Sequence, residues 1–280
     1  MTVLQGIALG LLQGITEFLP VSSSGHLAVA KVLFGTSCPL LFDVFLHLAT
    51  LLAVVLFFRR KIASLVVSLL SLVARKRDLT DEQRTKQEAD GQYILAVILA
   101  TVVTGAIGIL TAKLLDEDKI PVQAVCAGFI FTAALLVSSS IVARRAARRA
   151  TPPSIGSSPS WKQALIIGFA QGIGTLPGVS RSGSTISASL FCGVTRDVAG
   201  EFSFIVSIPA VLGAFLLELK DLSDVAESVG VAPLITGCIA AFASGLCALS
   251  ALMRLVKKGH LEWFALYLVP LGVLGLIFLG

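Results

Sequence analysis

Residues 13–27 read QGITEFLPVSSSGHL, and residues 171–185 read QGIGTLPGVSRSGST. Set side by side without a gap, seven of the fifteen positions are identical, at an offset of 158 residues. Both stretches lie in apolar surroundings and are broken by Gly, Pro and Ser, residues that stop helices and turn chains. An offset of more than half of the 280-residue chain points to two similar halves rather than to a short tandem array.

The surroundings set the solvent. Hydrophobic residues make up 55% of the chain, charged residues 14%, and the mean hydropathy is +0.91. A soluble domain of this size needs more charge to cover its surface. Six stretches are long and apolar enough to span a bilayer, at about 41–58, 93–115, 121–142, 198–217, 231–253 and 261–279. A shorter apolar run, Ile62 to Val73, is basic at both ends and reads as an interfacial helix. The N-terminus has no basic stretch ahead of an apolar segment, so no signal peptide is expected. The net charge of +5 is a matter of topology, not nucleic acid, because basic residues gather in cytoplasmic loops. The five cysteines, Cys38, Cys126, Cys192, Cys238 and Cys247, form no CxxC pair and read as small packing residues.

Charge then orients the spans. Residues 59–90, the run Arg144, Arg145, Arg148 and Arg149, and the group Arg254, Lys257 and Lys258 fall on the cytoplasmic side. Asp116, Glu117 and Asp118 fall opposite them, with Glu218, Asp221, Asp224 and Glu227. This assignment makes residues 1–40 begin and end outside, and residues 161–197 begin and end inside. Each is therefore a hairpin that dips into the bilayer and returns, a backbone that survives only where protein or a wet cavity surrounds it. The expected fold is an all-α polytopic membrane protein with six transmembrane helices and two re-entrant helical hairpins in an inverted-topology repeat. Its halves are residues 1–160, with a cytoplasmic basic loop at 59–90, and residues 161–280. Both termini are expected outside, and in such repeats broken helices from the two halves meet near the midplane.

The first hairpin brings Glu17, Ser22, Ser23, Ser24 and His26 to that meeting point; the second brings Thr175, Ser180, Arg181, Ser182, Ser184 and Thr185. Ionisable groups at membrane depth are expensive and point to function. Arg181 is the only basic residue between Lys162 and Arg196, and hydroxyls and glycines flank it. A guanidinium among Ser/Thr donors and helix N-termini makes a phosphate cradle. Plainer readings stand beside this one. Arg181 pairs with Glu17 alone, the serines serve close helix packing, and His26 is a hydrogen-bonded core residue. Gln13 and Gln171 are expected to bond to each other across the pseudo-two-fold axis, Asp43 and His47 to orient the site, and His260 to be a solvated loop residue.

The segment QGITEFLPVSSSGH, with Gln13 and Glu17 four apart, resembles the (E/Q)xxxE motif and Ser/His stretch of the undecaprenyl-diphosphate phosphatases of the bacitracin-resistance type. LPGVSRSGST is similar to that family's PGxSRSxxT motif, met in full by Pro177, Gly178, Ser180, Arg181, Ser182 and Thr185. The resemblance covers essentially the whole chain. It implies a plasma-membrane phosphatase that removes the terminal phosphate of a C55 polyprenyl diphosphate, recycles the carrier of cell-wall synthesis and confers bacitracin resistance. It also implies a divalent cation, Mg2+ or Ca2+, and an essential set of Glu17, His26, Arg181 and a motif serine. Arg181 with Ser180, Ser182 and Thr185 grips the diphosphate; Ser22, Ser24, Gly25, Gly178 and Gly183 complete the substrate-binding set. Ser23 or His26 attacks phosphorus or activates a water, and Glu17 orients that group or holds the metal. Gln13 stands where some members have Glu, so it is a weaker metal ligand, with Asp43 the candidate for a second acid. Expected partners are the lipid substrate, the bilayer and a second copy of the chain as a homodimer, without nucleic acid. A polyprenyl-phosphate transporter or flippase is the alternative from another class, since inverted repeats with broken helices are transporter architecture. The type 2 phosphatidic-acid phosphatase chemistry needs a second histidine just past the arginine, and the only one after Arg181 is His260.

Overall fold

The two hairpins open with the same local device. Thr2 accepts a hydrogen bond from the Gln5 N–H at 3.2 Å while the Gln5 side chain accepts from the Thr2 N–H at 2.9 Å. Ser160 and Gln163 repeat this reciprocal capping box, 158 residues further on. Each box satisfies two of the backbone donors that a helix start leaves free. It launches α1 (Val3–Phe18) in one hairpin and α7 (Trp161–Ile173) in the other. The returning arms are α2 (Ser23–Phe34) and α8 (Arg181–Phe191). The computed structural model describes residues 1–34, 40–74, 80–114, 120–147, 158–218 and 229–278. Both acidic loops from Asp116 to Asp118 and from Asp221 to Glu227, the basic residues Arg75, Lys76, Arg77, Arg148 and Arg149, and Cys38 lie outside the described residues.

After the first hairpin come α3 (Leu40–Phe57), α4 (Arg59–Val73), α5 (Asp81–Leu114) and α6 (Val122–Ala147). After the second come α9 (Arg196–Ile205), α10 (Ser207–Glu218), α11 (Val231–Lys258) and α12 (Ala265–Phe278), the last entered through a 3-10 turn at Leu261–Phe264. Among the described residues no strand occurs. Among the described residues, five helices are long and apolar enough to cross a membrane, with α9 and α10 together making one of them, and the number rises to six if the bent pair α3–α4 is counted as one span. The chain turns by 80° between α3 and α4, as the two basic flanks of the run from Ile62 to Val73 lead one to expect. Val67, Leu70 and Val73 on α4 are exposed, the apolar side of a helix lying along an interface.

Within 59–90, expected as a cytoplasmic loop holding the interfacial helix from Ile62 to Val73, the part from Asp81 onward is helical as well. Thr80 and Gln83 form a third capping box, and Asp81 and Glu82 occupy the first turn, where negative charge suits the helix dipole. The polar start of α5 is fastened to α4, since Ser64 and Ser68 both donate to Asp90 Oδ2, at 2.9 and 2.7 Å. His260, expected as a solvated loop residue, lies between α11 and the 3-10 turn with its side chain 39% exposed, and stacks on Trp263 with ring centroids 4.7 Å apart. Its Nδ1 lies 3.4 Å from Arg144, which also pairs with Glu262.

Each hairpin's outer helix lies along the middle span of the opposite half: α1 on α11, and α7 on α5. Glycine permits this. A Cβ on Gly10 would meet the Gly237 carbonyl oxygen at 2.1 Å, and one on Gly168 the Ala100 carbonyl oxygen at 2.5 Å. Gly10 and Gly168 are again 158 apart, as are Gly14 and Gly172. Helices in lipid gain little from apolar transfer, so close backbone approach through small residues is what binds them. Gly10→Val should therefore lower stability by about 1–3 kcal/mol, because two backbones would have to separate. Gly108, where an added Cβ would meet nothing within 4 Å, should accept Ala and gain about 0.5–1 kcal/mol. Thermal melts in detergent compare the two, and an unchanged midpoint for Gly10→Val would refute the tight α1–α11 seam.

Candidate functional site

α1 ends at Phe18 and α2 begins at Ser23, so Leu19, Pro20, Val21 and Ser22 must reverse the chain inside the protein. Ser22 adopts a positive φ of 69°, the only non-glycine residue to do so among those described. Such a conformation costs free energy and persists where the surroundings hold it. Here the Ser22 carbonyl accepts from His26 Nδ1 at 2.8 Å, while its hydroxyl lies 3.4 Å from the Gly25 N–H. The second hairpin turns at Gly178, with φ 85°, and starts α8 in a similar way. Ser180 Oγ accepts from the Gly183 N–H at 3.1 Å. Ser22 and Ser180, Gly25 and Gly183, and Ser24 and Ser182 are all 158 apart, so the two motifs build like turns. Ser23 and Arg181 therefore hold the same place, the first residue of the returning helix.

The turns also touch. A Cβ on Gly25 would meet the Gly178 Cα at 3.1 Å and the Phe129 ring at 2.6 Å. Glu17, near the end of α1 and 7% exposed, joins the two helix starts. Its Oε1 pairs with an Arg181 Nη2. Its Oε2 accepts from Ser23 Oγ at 2.6 Å and from Gln13 Nε2 at 3.0 Å, and lies 3.4 Å from His47 Nε2. Four polar side chains, carried on α1, α2, α3 and α8, thus surround one carboxylate. Arg181 Nη1 is buried without a partner among the described residues, as is Gln13 Oε1. An orphaned guanidinium nitrogen is costly to bury and marks the place where an anion would complete the hydrogen bonding.

The remaining expected residues divide. Ser182 Oγ lies 3.3 Å from Ser180 Oγ, and the Ser180 N–H donates to Thr132 Oγ1 at 3.0 Å. Thr185 Oγ1 donates to the Arg181 carbonyl at 2.9 Å and contacts Ser203. The hydroxyls of Ser180 and Thr185 are thus engaged in building the start of α8 under Arg181. Ser24 sits 3.4 Å from Ser22, and Ser184 Oγ is buried and unpartnered among the described residues. Gln13 and Gln171, expected to bond to each other, do not. Gln13 lies four residues before Glu17 on one helix, within side-chain reach, whereas Gln171 donates to Thr104 Oγ1 at 3.1 Å. Asp43 is taken by Lys31 at 2.5 Å and reaches the site only through its carbonyl, which accepts from His47 Nδ1 at 2.7 Å. Among the described residues no three His, Cys, Asp or Glu side chains converge on a metal position.

One residue was missed. Tyr267, on α12, has its hydroxyl 2.7 Å from His26 Nε2, and the two rings stack with centroids 5.7 Å apart. A carbonyl only accepts, so His26 Nδ1 carries the proton toward Ser22 and Nε2 accepts from Tyr267. The sequence held a faint sign, because Tyr267 is one of only two tyrosines and lies inside an apolar span.

The family model of the bacitracin resistance protein BacA matches residues 6–274. The chain is 45% identical over 278 residues to a protein named undecaprenyl-diphosphatase from Treponema denticola, covering 98% of this chain and 96% of that one. It is 35% identical over 281 residues to the undecaprenyl-diphosphatase of Methanosphaera stadtmanae, covering 98% and 97%. It is 34% identical over 284 residues to that of Oceanobacillus iheyensis, covering 99% and 97%.

The His26–Tyr267 contact can be read without any assay of activity. Tyr267→Phe removes one neutral hydrogen bond, a loss of about 0.5–1.5 kcal/mol, and uncovers Nε2. Carbethoxylation of His26, followed by peptide mass mapping, should then run several-fold faster. An unchanged rate in a folded variant would mean that Tyr267 does not hold the ring.

Proposed function

The chain belongs to the bacitracin resistance protein BacA family, and we propose that Glu17, Ser23 and Arg181, supported by His26, carry out its hydrolysis of undecaprenyl diphosphate. The reaction releases inorganic phosphate and leaves undecaprenyl phosphate, the lipid carrier. The observation that carries the assignment is the Glu17 carboxylate, which holds a serine hydroxyl at 2.6 Å on one oxygen and a guanidinium on the other.

Each residue has a part that its position supports. The free Nη1 of Arg181 takes an oxygen of the terminal phosphate, and the fork neutralises charge that develops as the phosphoanhydride breaks. The first-turn N–H groups of α8 favour an anion there, as at any helix N-terminus. Ser23 Oγ passes its proton to Glu17 and attacks the terminal phosphorus. The bond from phosphorus to the bridging oxygen breaks, and undecaprenyl phosphate leaves. Water then displaces the phosphate from Ser23, which recovers its proton from Glu17. His26 holds the Ser22 turn from its Nδ1 side and so aims Ser23, which favours Ser23 over His26 as the nucleophile. Ser180, Ser182 and Thr185 support the helix start that carries Arg181. A nucleophile hydrogen-bonded to a carboxylate serves chemistry, and a transporter has no use for it.

A Mg2+ or Ca2+ ion suits the oxygen donors of this site. Glu17 and the unpartnered Oε1 of Gln13 would hold it, with diphosphate oxygens completing the shell, and when bound it neutralises further phosphate charge.

We place the protein in the plasma membrane with both termini outside and its halves, 1–160 and 161–280, inverted. The support is the sorting of Lys and Arg, together with the shared 158-residue offset of caps, turns and glycines. Single cysteines at positions 118 and 153, in a chain lacking the native five, should label from opposite sides of the membrane. Labelling of both from the same side would end the inverted reading.

The clamp is tested at Arg181. Lysine offers a point charge where arginine offers a planar fork. Arg181→Lys should lower kcat by a hundred- to a thousandfold, about 3–4 kcal/mol, with substrate binding kept in part. Phosphate release from C55 diphosphate measures it, and near wild-type turnover would leave Arg181 only the role of tying Glu17 in place.

A further inference from the structure

An apolar groove of about 200 Å³ opens beside His26, walled by α2, α6 and α12 and lined by Val29, Phe129, Leu271, Leu274 and Phe278. It adjoins the site described above through one shared side chain. Phe129, on α6, forms part of its lining and also packs against His26, with ring centroids 5.2 Å apart. Val29 follows His26 on α2 by three residues, nearly one helical turn. Leu271 follows Tyr267 on α12 by four. Its other end opens outward, since Leu274 is 53% and Phe278 76% exposed. At the junction stands Tyr267, itself half-exposed, with its hydroxyl turned inward to His26.

We infer that this groove receives the first isoprene units of the polyprenyl diphosphate, with Tyr267 and Phe129 at the boundary between headgroup and tail. The inference rests on the phosphatase reading and adds to it a binding site for the hydrocarbon part of the substrate. The diphosphate is an anion that must reach the buried Arg181, and its first carbons must leave that place through protein. A route lined by polar groups would leave those groups facing hydrocarbon without partners. This groove supplies apolar contact from the edge of the site to the open face of α12, and the remaining isoprene units stay in the bilayer. The occupant is one chain of the substrate, because Phe129 belongs both to the groove wall and to the packing around His26, which ties the groove to the site rather than to an isolated surface patch. Gly275 sets its depth: a Cβ there would meet Cys126 Sγ at 2.4 Å.

The test uses the whole protein in detergent and a farnesyl diphosphate carrying a diazirine on its first isoprene unit. Irradiation and peptide mapping should place the label on residues 271–278 of α12, or on Val29 or Phe129, and C55 diphosphate should compete it away. Label found only on α5, α7 or α11 would overturn the inference. So would equal labelling by a diazirine phospholipid that C55 diphosphate does not displace, which would make the groove an ordinary lipid seat. Leu274→Trp, at an exposed position, fills the groove from its open end. It should cut the labelling and raise KM for C55 diphosphate about tenfold while kcat at saturation is retained. If that variant melts early, Leu274→Phe is the milder one. A fall in kcat with KM unchanged would count against the groove. Wild type that binds and labels but releases no phosphate would instead refute the phosphatase reading and leave the tail site standing.

Discussion

The interaction on which the molecule depends is the ion pair between Glu17 and Arg181. The two residues stand 164 positions apart on separate hairpins, and neither charge is tolerable alone at that depth. Moving an isolated charge out of water costs several kcal/mol even after relaxation, and a buried pair repays this only when hydrogen bonds satisfy the rest of both groups. Glu17 meets the condition, with Ser23, Gln13 and His47 around its second oxygen. Arg181 does not, because Nη1 remains without a partner among the described residues. The pair is thus complete on the carboxylate side and open on the cation side, which is the asymmetry a site for an anionic substrate requires.

Bringing those charges together imposes a packing problem, and glycine solves it. The outer hairpin helices must lie close to the middle spans, so Gly10 faces Gly237 and Gly168 faces Ala100 at backbone distance. The turns between the arms must cross at Gly25 and Gly178. In lipid such contacts supply association that apolar transfer cannot, and they leave no slack for a side chain. The rigidity matters for the proposed chemistry, in which Ser23 and Arg181, held from two helix starts, must keep their geometry when substrate enters.

The arrangement also explains how a membrane enzyme handles a substrate that is half ion and half hydrocarbon. The polar cluster is buried around Glu17 and walled by aromatic rings. Phe18 and Phe204 meet edge to face at 5.6 Å, while Phe129 and Tyr267 flank His26. On the α12 side this wall passes into an apolar groove open to the bilayer.

Much of this was legible in the residues. The spans follow from long apolar runs, and the bend after α3 follows from Arg59, Arg60 and Lys61 standing between two such runs. The repeat of QGI and SxSG segments led to two equivalent hairpins, and the lone Arg181 among hydroxyls marked the cation that pairs with Glu17. These are properties of neighbours in sequence, where helix period, capping and charge act over a few residues. The helical character of the part from Asp81 onward was legible too, in Thr80 and Gln83, although the charged composition of that stretch masked the capping signal. What the chain alone did not reveal lies between residues far apart. Gln171 turns to Thr104 rather than to Gln13, Asp43 is claimed by Lys31, and His26 meets Tyr267 across 241 positions. Sequence determined which groups enter the membrane and at what cost. Only the tertiary structure decided which of them share a hydrogen bond, because a side chain's partner depends on helix rotation and crossing, and these are fixed by packing over the whole molecule.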